Sequence, residues 1–121
     1  MSVFEDIEAI GPLRVWDDVV AREVHGEQST LAVVELAAGA VVPEHHHANE
    51  QLGLVIRCSV EFRVGTETKE LAPGATWCIP GAVPHEVRAG PEGAVVVDVF
   101  APARADWGAL ERSEPSAPDW P

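Results

Sequence analysis

The stretch Glu44-His45-His46-His47-Ala48-Asn49-Glu50-Gln51 decides how this chain reads, together with a second one, Ile79-Pro80-Gly81-Ala82-Val83-Pro84-His85. The two hold four of the five histidines. Neutral imidazole is the commonest side-chain ligand of first-row transition metals. Side chains on an extended segment alternate between faces. His45 and His47 therefore point one way and His46 the other. Counting on in twos reaches Gln51 and leaves Glu50 on the opposite face, provided Ala48 and Asn49 keep the extended path. His85 follows a proline-rich turn that can deliver it from elsewhere in the fold. Taken singly, each cluster has a plain reading: a surface run of histidines, or a hydrogen-bonded structural histidine. Taken together they point to one divalent metal ion held by His45, His47, Gln51 and His85. His46 and His25 are expected at the surface.

Around these clusters the chain is punctuated by Gly39, Pro43, Gly65, Pro73-Gly74, Pro80-Gly81, Gly90-Pro91 and Gly93. Between them lie short runs rich in Val, Leu, Ile, Thr and Phe, the pattern of many short strands joined by turns. Strands are expected at 19–24 and 30–36, around a turn at His25-Gly26-Glu27. Runs 50–56 and 60–64 are expected to form a hairpin. Further strands are expected at 67–71, 75–79, 86–89 and 94–100. Val60, Phe62 and Val64 alternate with Glu61 and Arg63, as a half-buried strand does. Val95-Val96-Val97 does not alternate and reads as a strand covered on both faces. Residues 105–112 have room for one or two helical turns. The expectation is an all-β sandwich or barrel. It forms a single domain over 1–112, with a Pro/Ser-rich tail at 113–121.

The bulk properties narrow the function. The chain has 121 residues, enough for one core. Eight Lys plus Arg stand against twenty Asp plus Glu, a formal charge of −12. Such a field repels phosphate backbones and anionic bilayers, so no nucleic-acid or membrane partner is expected. No apolar run is long enough for a spanning helix, and the acidic start MSVFEDIEAI does not read as a signal peptide. Cys58 and Cys78 are too few for a disulfide scaffold and read as reduced thiols in a cytoplasmic protein. Trp16, Trp77, Trp107 and Trp120 are candidate anchors of a homodimer interface, with core packing favoured for Trp77.

The segment Gly39-x5-His45-x-His47-x3-Gln51 resembles the first cupin motif, with Gln where many cupins carry Glu. The segment from Gly74 through Pro80-Gly81 to His85 resembles the second. This resemblance implies a double-stranded β-helix, or jelly roll, with a metal near the barrel axis. Two positions depart from the pattern: Cys58 and Ala82 stand where the motifs have glycine, which puts the local backbone angles in question.

A narrower resemblance lies in Val97-Asp98-Val99-Phe100-Ala101-Pro102-Ala103-Arg104, which is similar to the exit strand of KdgF-type cupins. Those proteins act on unsaturated uronates from pectin and alginate breakdown. The resemblance implies a small anionic sugar acid as substrate, with Asp98, Phe100 and Arg104 as catalytic-site residues. Asp98 would move a proton, Phe100 would form a wall, and Arg104 would clamp a carboxylate. The plain alternatives are a strand-end hydrogen bond for Asp98, core packing for Phe100, and pairing with Asp106 or Glu111 for Arg104.

Three imidazoles and an amide leave the full double charge on the ion. That favours Lewis-acid chemistry, such as isomerisation or ring opening, over stabilising a ferric state. Nickel, zinc, manganese and iron all fit the ligand set. An Fe(II) dioxygenase, a polyketide cyclase and a non-catalytic binding module remain alternatives.

Overall fold

The computed structural model describes residues 2–121. Eight strands follow in order: β1 Leu13–Trp16, β2 Val19–His25, β3 Thr30–Leu36, β4 Val41–His45, β5 Glu50–Val64, β6 Glu67–Leu71, β7 Thr76–Ile79 and β8 His85–Ala101. A 3-10 turn precedes them at Ile7–Ala9, and another follows at Ala105–Ala109. All the pairings are antiparallel. The sheet runs β1-β2-β3-β8-β5-β6, with β4 on β8 and β7 on β5. This is the jelly roll expected from the sequence.

β1 and β4 lie outside the expected strands, and two further departures, in β5 and β8, explain how the barrel closes. Residues 50–56 and 60–64 are not a hairpin but one 15-residue strand, β5. Runs 86–89 and 94–100 are likewise joined, into the 17-residue β8. Both halves of β5 pair with β8, Gln51 opposite Phe100 at one end and Val64 opposite His85 at the other. Between them the register slips: Cys58 faces Ala94 and Val60 faces Ala89, so residues 90–93 bulge against Ser59 alone. A bulge bends a strand without reversing it. The glycines and proline that suggest a turn therefore mark a corner, at which two long strands pass together from one layer of the roll to the other.

Cys58 and Ala82 do take the left-handed backbone, at φ 64° and 67°. That conformation costs a residue with a Cβ about 1–2 kcal/mol. Ala82 is exposed, so burial of its methyl group does little to offset the cost. After the entropy that glycine adds to the unfolded chain, Ala82→Gly is expected to raise stability by roughly 0.5–1 kcal/mol. Urea unfolding at neutral pH measures it.

The core is made by alternate residues of every layer: Val19, Ala21, Ala32, Val55, Val60 and Ile79 are all at most 1% exposed. Trp107, a candidate interface anchor in the sequence, is buried in its own chain against Phe100. Trp16 also turns inward, onto His45. Outside, Val24, Leu31, Val99 and Leu52 form one cross-strand row, with Leu31 and Leu52 more than 40% exposed. The last residues lie back on the sheet: Arg22 donates to the Ser116 carbonyl and hydroxyl, and the Asp119 amide donates to Glu35. No helix among the described residues is long and apolar enough to cross a membrane.

Candidate metal centre

β4 ends on His45, directly opposite His85 at the start of β8. The turn 46–49 then carries His47 to the same side before β5 begins. Alternation survives that turn: 45, 47 and 49 are half-buried while 46, 48 and 50 are exposed, and Gln51 is buried. One ring nitrogen from each of His45, His47 and His85 lies within 4.8 Å of the other two. The ring centroids of His45 and His85 are 4.3 Å apart, and those of His47 and His85 are 5.1 Å apart.

Hydrogen bonds fix which nitrogen faces the centre. His45 Nδ1 lies 2.9 Å from the Pro43 carbonyl, His47 Nδ1 3.0 Å from that of Asn49, and His85 Nδ1 2.8 Å from that of Val83. A carbonyl only accepts, so each Nδ1 carries the proton. Burial, first among the causes, holds all three rings below the ordinary histidine range, and His85 falls to about 4. The rings are therefore neutral, and three bare Nε2 lone pairs converge. His85 Nε2 is buried without a partner among the described residues. Gln51 adds a fourth donor. Its amide NH2 donates to Asp98 Oδ1 at 2.9 Å, which turns Oε1 toward His47 Nε2 at 3.1 Å. Two acceptors face each other there with no proton between them. Lone pairs gathered this way repel unless a cation lies among them. The residues thus fit a divalent ion, with imidazoles whose second nitrogens are oriented by the backbone.

Asp98 sits beside this centre on β8 and is 7% exposed. Gln51 and the Trp77 indole N–H both donate to its Oδ1, each at 2.9 Å, leaving Oδ2 free for a ligand. Burial raises its pKa to about 6, against the opposing pull of the two donors and of Arg104.

Two contributors escaped the sequence reading, Gly53 and the donor role of Trp77. Gly53 is the residue of β5 that lies between Trp77 on β7 and Asp98 on β8. The indole crosses over it to reach the carboxylate. A Cβ on Gly53 would collide with the indole and sit 2.5 Å from the Val97 carbonyl oxygen. Gly53→Ala is expected to cost about 3 kcal/mol, from overpacking plus the lost hydrogen bond to a charged group. Chemical denaturation measures the loss, and a changed Trp fluorescence in the folded state reports the displaced indole.

Phe100 is buried between His47, at 5.6 Å between centroids, and Trp107, at 5.3 Å. Arg104 caps the 3-10 turn, and its guanidinium lies 4.7 Å from the Phe100 ring centre and 4.9 Å from that of Trp107. It also holds Asp106 by two bonds, Nε to Oδ1 at 3.1 Å and Nη2 to Oδ2 at 3.0 Å. The partner expected as the plain alternative is thus present, while Arg104 still lines the central cavity of about 240 Å³. Arg57, Arg63 and Arg88 do not line it.

A cluster of three neutral histidines, one buried and two half-buried, at the mouth of a closed antiparallel jelly roll is the arrangement of a cupin. A family model described as a cupin domain matches residues 32–100, more than half of the chain, and the protein belongs to that family. Its backbone is similar to that of an RmlC-like cupin from Shewanella frigidimarina. The TM-score is 0.81 at 21% identity, over 88% of this chain and 96% of that one. It is similar to KdgF from Halomonas sp. to the same extent, with a TM-score of 0.80 at 24% identity over 88% and 98% of the chains. Oxalate decarboxylase of Bacillus subtilis matches at TM-score 0.71 and 21% identity, over 84% of this chain and 31% of that chain. At these identities the superpositions show a common fold and nothing further. No curated protein sequence matches the chain.

Proposed function

We propose that the protein is a metal-dependent, non-redox enzyme that moves a proton on a small oxygen-bearing substrate. The observation that carries this reading is the neutral donor set His45, His47, His85 and Gln51 linked by one hydrogen bond to a buried carboxylate. An ion held there supplies Lewis-acid polarisation of a substrate oxygen. Asp98 is the proton carrier. With a pKa near 6 it is mostly ionised at neutral pH yet close enough to that pH to exchange a proton in either direction. Gln51 and Trp77 hold Oδ1, so Oδ2 is the oxygen that takes the proton. Phe100 and Trp107 flank Arg104 and keep its guanidinium at the cavity wall.

The resemblance of the exit strand, and the fold shared with KdgF from Halomonas sp., make a 4,5-unsaturated uronate the specific substrate candidate. Its conversion to the linear keto acid would use Asp98 for the proton and Arg104 for the carboxylate, and Arg104 would then have to let go of Asp106. Purified protein loaded with nickel, zinc, manganese or ferrous iron in turn and incubated with unsaturated galacturonate tests this candidate: a loss of ultraviolet absorbance faster than the spontaneous one supports it. A rate equal to the spontaneous one with every metal refutes this substrate. Oxygen uptake with ferrous iron would instead favour a dioxygenase. The homodimer expected from the sequence would use the outer row Val24, Leu31, Val99 and Leu52.

A further inference from the structure

The walls of the central cavity do not look like those of a sugar site. Its lining includes Val19, Val34, Leu36, Val42, Val87 and Val96, contributed by β2, β3, β4 and β8. These six side chains offer no hydrogen-bonding group. The polar lining consists of the histidine-glutamine cluster, Asp98, and the pair Arg104–Asp106. A uronic acid carries a hydroxyl or carboxylate on almost every carbon, and each would need a partner once taken out of water. Arg104 is the one Lys or Arg of the lining among the described residues, and Asp106 already neutralises it in a two-bond pair. The volume, about 240 Å³, exceeds the roughly 150 Å³ at which a dry apolar cavity accepts a benzene ring.

We infer that the valine-lined chamber beside the histidine cluster is a subsite for an apolar acyl or aryl group. The ligand it fits has a compact oxygen-bearing head at His45, His47, His85 and Asp98 and a hydrocarbon body of a few carbons among Val34, Val42 and Val96. The inference rests on the metal-centre reading above, and it takes the substrate class away from polyhydroxylated acids.

The test uses chelating probes that share one head and differ only in the body. Acetohydroxamate, butyrohydroxamate and hexanohydroxamate are titrated into the zinc-loaded full chain by calorimetry, alongside glucuronate. Each methylene moved from water into the chamber multiplies affinity by about four. Hexanohydroxamate is therefore expected to bind on the order of a hundredfold more tightly than acetohydroxamate, and glucuronate no better than acetohydroxamate. Val34→Thr, or Val96→Thr if the first does not fold, places a hydroxyl in the chamber. It is expected to flatten the chain-length dependence while acetohydroxamate binds as before. A flat series in the unmodified protein, with acetohydroxamate bound, overturns the apolar subsite and leaves the metal centre standing. Absence of binding by every hydroxamate overturns both. Glucuronate binding more tightly than hexanohydroxamate overturns the apolar subsite in favour of the sugar acid.

Discussion

Protein purified and reloaded with zinc or nickel is expected to hold about one ion per chain, and His85→Ala to hold none after dialysis. The reason is the geometry of lone pairs. Three Nε2 atoms and the Gln51 oxygen face a common point, and the Nδ1 protons that would let the rings turn are committed to the carbonyls of Pro43, Asn49 and Val83. An ion that binds the folded chain alone, at a thousand times its dissociation constant, stabilises it by about 4 kcal/mol. In a chain of this size that is roughly 12–24 °C in melting temperature. Chelation with EDTA should reverse the gain, and His85→Ala should show no gain to reverse.

The pH dependence follows from the same burial. Only neutral imidazole binds a metal. The three rings are held below the ordinary histidine range, so protons compete less than they would for free histidine. The ion should stay bound as pH falls through 6.5 and be lost toward about 4, where His85 takes a proton. Elemental analysis after dialysis across this range checks it. Equal melting temperatures with and without metal would remove the basis of the proposed function.

Asp98→Asn should make the metal-free protein more stable and, under the proposed function, should abolish turnover. The carboxyl has its pKa raised from 3.8 to about 6, chiefly by burial. A raised value means that the folded state prefers the protonated form. The stability this contributes is present below pH 3.8 and is lost as pH rises through about 6. Above that, the folded protein carries a buried charge at a cost of about 3 kcal/mol. Asparagine keeps an oxygen for the Gln51 and Trp77 donors and has no charge to bury. Its advantage should therefore appear in urea unfolding at pH 8 with EDTA present and vanish near pH 4. A bound ion attracts the carboxylate, so metal should shrink the gain. Loss of the proton carrier should lower turnover by about 10²–10⁴-fold. An advantage that is the same at pH 4 and pH 8 would show that the charge of Asp98 is not what burial opposes.

How much of this was legible in the chain depends on the distance over which each feature is encoded. Alternation of side chains is local, so His45, His47 and Gln51 could be placed on one face, and Asp98 and Phe100 on another, by counting in twos. The strands at 30–36 and 67–71 were readable because turn residues bound them on both sides. Glycine-like backbone angles at Cys58 and Ala82 were foreseeable too, since both fall where the motifs have glycine. β1 was missed: it has only four residues and is held at the edge by β2. The corner at 90–93 read as a turn because a bulge and a turn use the same residues. Which one forms depends on whether the strands on either side find each other or a third strand, and here both pair with β5.

By itself, then, the amino-acid order determined the all-β class, the residues able to bind a metal and the side of the strand each occupies, because these follow from repeats of two residues and from side-chain chemistry. Only the tertiary structure decided that Gly53 lets Trp77 reach Asp98, that Asp106 occupies Arg104, and that the chamber beside the histidines is walled by valines. The first and the last are contacts across strand registers between residues far apart in the chain; the second spans only two residues, and the fold chose it over Glu111. Register is set by the packing of the whole barrel, which no local pattern records.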